Sequence, residues 1–576
     1  MVSPQRGSHP PVTSVLDVKR RLGGCIRRFL EQASQHAGQG PLPDEVLERA
    51  GQFEVPPDPA MGDLATSVAM ALARPWRRAP AAIARDIADH LRHHSPVPLV
   101  DVAVAGPGFV NLRLDPGWLY EVAAGLAGKG PQAALPDVGE GRRVQVEFVS
   151  ANPTGPMNVV NARAAAVGDA LARLLEAVGY RVSREYYVND SGRQARLFAR
   201  SVGARLAEIL GEPAELPPDA YQGEYVKELA AELLARHPEL SRMAPEERVA
   251  FLESEAVEGM VRRQREDLEA FGVRFDVWFR ERSLYESGAV HRTLEELARR
   301  GFLYEAEGAR WVRTTAFGDD KDRVVVKSDG ELTYVASDVA YHVDKFQRGF
   351  DHVIDIWGPD HHGYVARIKA SLAALGLDPG RLEVIILQLV TLTRSGEAVR
   401  MSKRAGEFVT MRALLDEVGP DAARYFFLSR SPTSPLEFDL DLARLKTMEN
   451  PVYYVQYAHA RICSVFRQAG AEAMEAARTA TAQQLAVLTE PLELSVLRAL
   501  ADYAEAVVEA AGRREPHRVV EYLFRLASAF HGFYNQHRLL DPDHGLRRAR
   551  LGLALACRNV LAHGLGLLGI GAPERM

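Results

Sequence analysis

The chain has 576 residues, 47% of them hydrophobic and 25% charged, enough for roughly three to four domains with separate cores. Seventy basic against seventy-six acidic side chains leave a net charge of −6, which excludes a protein that holds polyanions by bulk charge; such a partner has to meet local basic patches. Three cysteines, Cys25, Cys463 and Cys557, lie too far apart in sequence for a disulfide framework or a zinc cluster and point to a reducing, cytoplasmic compartment; no apolar run is long enough to span a membrane.

Apolar residues recur at helical spacing over 16–33 and again over 61–91, and two β-like runs, 99–104 and 109–114, follow. Residues 1–125 thus read as a small α+β domain, and 126–142, rich in Gly, Ala and Pro, as a linker. Val144, Val146 and Phe148 then alternate with Gln145 and Glu147 in the pattern of a strand, and 162–178 carries the apolar stripe of a helix stopped by Gly179. A charged stretch, about 193–300, is mostly helical in pattern with a polar break at 212–223, and is expected to be an insertion rather than core. Strand-like runs return at 323–327, 332–336, 352–357 and 382–392, with a helix over 365–375. Strands separated by helices predict an α/β domain over 143–449, a doubly wound, Rossmann-like parallel sheet. From 450 to 576 the pattern is almost continuously helical, as in a bundle.

Three loops carry candidate chemistry. Residues 150–161 join the first strand of the sheet to its helix. Parallel sheets gather ligands at the carboxyl ends of their strands, and a helix N-terminus offers free N–H groups to phosphate. The same segment reads equally as a proline-stiffened turn in which Asn158 or Asn161 caps the helix. Arg400-Met401-Ser402-Lys403-Arg404-Ala405-Gly406 is cationic and glycine-ended, suited to clamping transferring phosphates or else an exposed basic turn. Gly358-Pro359-Asp360-His361-His362-Gly363 follows a strand; adjacent histidines rarely face one ion, so no metal site is expected there. In the last domain Arg513, Arg514, Arg518, Arg525, Arg538, Arg547, Arg548, Arg550 and Arg558 interleave with Tyr457, Tyr522, Phe533 and Tyr534. That pattern suits a splayed single-stranded loop, and equally a solvated bundle with core aromatics.

Asn152-Pro153-Thr154-Gly155-Pro156 after a strand, then Tyr187-Val188-Asn189-Asp190 with Gly192 and Gln194, then Met401-Ser402-Lys403-Arg404 together resemble the class I aminoacyl-tRNA synthetases. Phe317-Gly318-Asp319-Asp320-Lys321-Asp322, Ser337-Asp338-Val339-Ala340-Tyr341-His342, Trp357 to Gly363 and Asn450 to Arg461 are similar specifically to bacterial arginyl-tRNA synthetases. Asp58 to Asp63 and Gly106 to Asn111 resemble the additional N-terminal domain of that family. The resemblance covers nearly the whole chain. It implies activation of arginine by ATP with Mg²⁺ and transfer of the arginyl group to the 3′ end of tRNA(Arg), by a monomer with no membrane contact and no tightly bound metal. Position by position, it implies that Glu147, Ser150, Asn152, Tyr334, Asp338 and His362 hold arginine. It places Thr154, Gly155, Pro156, Val160, Gly358, Asp360, Arg400, Met401, Ser402 and Arg404 around ATP, and Asn158, Asn161 and Lys403 in catalysis on its phosphates. Tyr457, Arg461 and Arg538 would meet tRNA, the last domain taking the anticodon and the first the outer corner.

The family's ATP signature, His-(Ile/Val)-Gly-His, reads Asn158-Val159-Val160-Asn161 in this chain. Asparagine still donates a hydrogen bond but is neutral and shorter, and loss of one preorganised donor costs on the order of 10²- to 10³-fold in rate. Val160 puts an isopropyl group where the base approaches, and overpacking of that kind costs roughly 1 to 3 kcal/mol. Two readings follow from the residues: an arginyl-tRNA synthetase with an altered adenylation site, or a homologue or variant with impaired ATP chemistry that binds tRNA or arginine without efficient aminoacylation.

Overall fold

A computed structural model describes residues 11–36, 40–399 and 409–576. In its N-terminal part, helices pack on a three-stranded antiparallel sheet of β1 (Leu64–Thr66), β2 (Leu99–Ala105) and β3 (Phe109–Leu114), with β3 in the centre. The helix Val15–His36 covers the first expected helical stretch. The second, 61–91, resolves into β1 and the helices Val68–Trp76 and Pro80–His94. Gly62, at φ 121°, explains the break: a Cβ there would meet the Leu112 carbonyl oxygen at 2.7 Å, so glycine is what seats β1 beside β3.

The helix Gly117–Gly128 runs across the expected boundary at 125 and packs on the C-terminal helices. Tyr120 donates its hydroxyl to the Leu488 carbonyl at 3.0 Å, and Asn559 Nδ2 donates to the Leu126 carbonyl at 3.0 Å.

Three strands open the middle region: β4 (Arg143–Glu147), β5 (Arg181–Val188) and β6 (Val277–Arg280). Next, β7 (Leu303–Ala306), β8 (Ala309–Val312) and β9 (Arg323–Val326) form a small antiparallel sheet of their own. The chain returns as β10 (His352–Trp357) and β11 (Leu382–Ile386). The main sheet has the order β11-β10-β4-β5-β6, and every neighbouring pair is parallel. The strand order reverses between β4 and β10, which makes the carboxyl ends of these two strands the topological switch point where such sheets bind ligands.

Strand alternation assigns the two faces of β4. Val144, Val146 and Phe148 share a core with the helix Val159–Ala177, called the signature helix below, while Gln145 and Glu147 look to the other face. Gly168 of that helix lies so close to Phe148 that a Cβ would meet its ring at 2.1 Å, so helix and strand approach as only glycine permits. The opposite face is covered by the helices Tyr334–Gln347 and Tyr364–Ala374, which share a second core with Val353 and Leu382.

Three expectations are corrected. The charged insertion is helical over Gly192–Leu210, Glu224–Arg236 and Pro245–Ala270, with its own small core, but its end supplies β6, an edge strand of the main sheet. Residues 332–336 are not a strand: Thr333 fixes the turn by donating its hydroxyl to the Val324 carbonyl at 2.7 Å, and Tyr334 starts a helix. The run 382–392 is broken after β11; β12 (Val390–Arg394) leaves the parallel sheet and pairs with β13 (Glu397–Ala398) and β14 (Leu436–Asp439). Leu387 and Gln388 make the bend, their N–H groups donating to the Trp357 and Pro432 carbonyls at 2.7 and 3.0 Å.

From Pro451 the chain is helical, started by Asn450, whose side chain accepts from Val452 N at 3.2 Å. Among the described residues no helix is long and apolar enough to cross a membrane.

Candidate active site

The turn after β4 is strained. Val149 and Ser150 have φ of 68° and 37°, the left-handed region, at a cost of about 1–3 kcal/mol each. The turn brings Ser150 back over its own strand: its hydroxyl donates to Glu147 Oε1 at 2.8 Å and accepts from Tyr187 N at 3.1 Å. The loop that follows is clamped by the insertion and by β5. Gln264 Nε2 donates to the Asn152 and Gly155 carbonyls at 3.1 and 3.0 Å, Tyr225 donates to the Thr154 carbonyl at 2.9 Å, and the Tyr186 hydroxyl accepts from Ala151 N at 3.1 Å. Thr154 is buried, Gly155 and Pro156 are partly covered and Asn152 is exposed.

Asn158 and Asn161 form a reciprocal capping box. Asn158 Oδ1 accepts from Val160 N and Asn161 N at 2.9 and 3.1 Å, and Asn161 Oδ1 accepts from Asn158 N at 3.0 Å. The caps use only the oxygens, so the amide nitrogens keep their donors for a ligand. Val160 is half-buried and packs on the main core. Thr410 bridges to Asn158, and Met411 N donates to the Met157 carbonyl at 2.8 Å, so the chain enters the helix Met411–Val418 beside this turn. Arg400, Met401, Ser402, Lys403 and Arg404 lie outside the described residues.

On the opposite face of the sheet is a buried ionic cluster. Lys345 Nζ donates to Glu147 Oε2 at 2.5 Å and Asp355 Oδ1 at 2.7 Å, and His342 Nε2 lies 2.9 Å from Asp355 Oδ2. Burial works against the Lys345 ammonium, but Asp355 and Glu147 outweigh it and raise its pKa. Asp338, one turn before His342, accepts from the Tyr364 hydroxyl at 2.6 Å; desolvation pushes its carboxyl upward. Glu281, buried at the end of β6, is raised by desolvation first and by the charge of Asp338 second. Between these carboxylates stands Tyr187, whose buried hydroxyl has no hydrogen-bond partner among the described residues; its pKa rises through burial and then through Glu281, Asp338 and Glu147. Buried carboxylates converging on an unused donor suit a planar cation able to meet several oxygens at once.

The structure thus brings Glu147, Ser150 and Asp338 together and leaves other expected residues at the margin. Tyr334 is 61% exposed, not a core aromatic. Asp360 and His362 are exposed on the loop after β10, and a Cβ on Gly358 would meet nothing within 4 Å. Sequence reasoning missed Glu281, Lys345, Asp355 and Gln264, each an ordinary polar residue in an amphipathic stretch until packing buries it.

In the last domain Arg461 stacks over Tyr457 and Tyr534, 4.7 and 4.6 Å from the ring centres, and these three line a cavity of about 520 Å³ with Arg467, Arg575 and Met576. Arg538 is exposed elsewhere. Several other arginines of the interleaved pattern serve structure: Arg550 is buried between Glu493 and Asp541 and Arg518 pairs with Glu509 and Glu515 within the bundle, while Arg514 reaches out to Glu383 on β11 of the main sheet. Tyr522 and Phe533 are buried in the core.

Residues 124–427 match the family described as tRNA synthetases class I (R), catalytic domain; 22–114 match the arginyl tRNA synthetase N terminal domain and 455–576 the DALR anticodon binding domain. A protein named arginine-tRNA ligase from Desulforudis audaxviator is 48% identical over 558 residues, 96% of this chain and 99% of its own length. Its namesake from Symbiobacterium thermophilum is 47% identical over 560 residues, 97% and 98% of the two chains. The solved structure of the Thermus thermophilus arginyl-tRNA synthetase superimposes with a TM-score of 0.74 at 25% identity, covering 97% of this chain and all of the other.

Proposed function

The chain belongs to the class I arginyl-tRNA synthetases, and from that premise we propose that it activates arginine with ATP and transfers the arginyl group to the 3′ end of tRNA(Arg), as a cytoplasmic monomer. The observation that carries this reading is the acidic pocket at the switch point, one strand end away from the N-terminus of the signature helix. Asp338 and Glu281 would take the guanidinium, with Glu147 and Ser150 shaping the floor and Tyr187 offering its hydroxyl; Asn152, Tyr334 and His362 would close the rim. The arginine carboxylate then faces the helix end, where the helix dipole favours phosphate and, with the Val160 and Asn161 N–H groups taken up by the capping box, the amide nitrogens of Asn158 and Asn161 are left to donate. Attack of that carboxylate on the α-phosphorus forms arginyl adenylate and releases pyrophosphate; a ribose hydroxyl of the terminal adenosine then attacks the acyl carbon and AMP departs.

On this reading Nδ2 of Asn158 and of Asn161 donates to phosphate oxygens, while Thr154, Gly155, Pro156, Val160, Gly358 and Asp360 border the nucleotide. Lys403 with Arg400, Met401, Ser402 and Arg404 supplies the charge that the leaving pyrophosphate needs. Mg²⁺ enters as part of the ATP complex and neutralises phosphate charge. The stacked Tyr457 and Arg461 would meet anticodon bases, with Arg538 on the backbone, and the N-terminal domain the outer corner of the tRNA. Among the described residues no contact of Asn158, Val160 or Asn161 favours the reading of lost chemistry.

The test is arginine- and tRNA-dependent pyrophosphate exchange by the protein as it is and by the triple variant Asn158→His, Val160→Gly, Asn161→His. We expect exchange in both. An equal rate in both removes the impaired-site alternative; no exchange in either overturns the synthetase reading.

A further inference from the structure

Arg163 opens the second turn of the signature helix, two residues after Asn161, and is completely buried. Its guanidinium forms no ion pair among the described residues. Four carbonyl oxygens hold it instead: Gln388 at 2.8 Å and Leu389 at 3.4 Å on one Nη, Ser431 at 3.0 Å and Ser434 at 2.9 Å on the other, while Nε has no partner. Burial lowers its pKa to about 10, so it remains a cation at neutral pH.

Burying a charge without its counter-charge is costly, and stapling two loops to a helix does not require one; carbonyl acceptors are satisfied equally by neutral donors. The loops themselves are informative. Residues 388 and 389 leave β11 beside the switch point, and 431–434 lead into β14. The carboxylates Glu147, Asp338 and Glu281 all belong to the other side of β4. The cleft is therefore divided: acid on the side of the amino acid, and an unneutralised buried cation one turn into the helix that Asn158 and Asn161 cap.

We propose that Arg163 is a positioning residue for the polyphosphate of ATP: it fixes the start of the signature helix to the 388–389 loop, and its uncompensated charge acts through the low-dielectric interior on phosphate held at Asn158 and Asn161. This rests on the ATP-dependent reading above. It also adds, from one turn inside the helix, a positive charge behind a cap whose own two polar side chains are neutral.

Arg163→Met removes the charge at similar volume; Arg163→Lys keeps it and loses the planar fork. In pyrophosphate exchange, Arg163→Met is expected to raise KM for ATP about tenfold or more with KM for arginine changed less than about twofold. Arg163→Lys should recover ATP KM to within about threefold of the unaltered protein, although both variants lower the thermal midpoint. A second pair avoids the core: Ser434, whose main-chain carbonyl holds the guanidinium, is only partly covered, and Ser434→Asp adds a negative charge beside that contact while Ser434→Asn does not. Ser434→Asp should raise ATP KM roughly three- to tenfold at an unchanged midpoint, and Ser434→Asn should leave it alone. Equal ATP KM in the Met and Lys variants, or in the Asp and Asn variants, overturns the proposal; if the Arg163 variants do not fold, the Ser434 pair decides. Absence of exchange in the unaltered chain would instead overturn the synthetase reading, whereas normal exchange with flat variants overturns only the role of Arg163.

Discussion

Each asparagine of the signature turn has two separable duties. Its oxygen closes the capping box, worth typically about 1 kcal/mol against alanine, and its nitrogen is left to a ligand. In the pocket proposed for arginine the decisive residues are those whose charge is not already answered. Glu147 has a direct ion pair with Lys345; among the described residues Asp338 has no ion pair and accepts one side-chain hydrogen bond, from the Tyr364 hydroxyl. Asp338→Asn should therefore raise KM for arginine about 100-fold and leave KM for ATP unchanged, since a charge-assisted bond is lost from one substrate alone. The pH dependence follows from the same burial. Asp338 and Glu281 are raised, so as pH falls they take up protons before an ordinary carboxylate does, and cationic arginine must displace those protons. Arginine affinity is full above the raised pKa values and is lost as pH falls through them. In that acid range binding should release protons, measurable by calorimetry in two buffers of different ionisation heat; identical heats in both would contradict it. For folding the sign is opposite: a raised carboxyl destabilises the native state above its unfolded pKa, and that cost disappears in acid.

At the scale of elements, the insertion is what holds the loop proposed to border ATP. Gln264, from its longest helix, donates to two carbonyls of residues 152–155, and no other donor among the described residues reaches both. Gln264→Leu keeps the helix but frees the loop, and is expected to lower kcat/KM in pyrophosphate exchange about tenfold with little change in thermal midpoint, because misplaced donors lose transition-state stabilisation. A midpoint that fell with the rate would show the glutamine to be structural only. The strand, turn and signature helix could be read from the residues because three signals agree: alternation in 144–148, the apolar stripe of the helix and Gly179 at φ 95°. Elsewhere one signal misleads. β6 is four residues long and hidden at the end of helical, charged sequence; Leu332, Tyr334 and Val335 favour strands until Thr333 starts a helix; and the bend at 387–389 contains no Gly or Pro. The asparagine cap was legible because capping is local. The Lys345 cluster was not, because a lysine beside Asp344 in a helix has the same sequence whether it faces water or Glu147 and Asp355.

Across the whole molecule, Arg424 is the joint. Buried on the helix Pro420–Leu428, it pairs with Asp169 of the signature helix, donates to the Phe271 carbonyl at the end of the insertion at 3.0 Å, and donates to the Leu568 carbonyl at the end of the last long helix at 2.8 Å. Arg424→Met should cost about 3–5 kcal/mol in chemical denaturation, since breaking a buried pair strands its partners, and should split unfolding into two transitions. A single transition displaced by less than about 1 kcal/mol would mean that apolar packing alone joins the parts.

The helix Gly117–Gly128 adds a problem of timing. Tyr120 and the Leu488 carbonyl that receives its hydroxyl are 368 residues apart. At about 5–20 residues per second, a ribosome needs roughly 20 to 70 seconds to make what lies between them. Throughout that interval Leu119, Tyr120, Val122 and Leu126, all buried in the finished protein, have been synthesised and their socket has not. The nascent chain must carry a sticky helix through most of its own birth, so the dangerous moment for this protein is translation itself, when a chaperone or the ribosome surface has to shelter a segment that the folded enzyme hides completely.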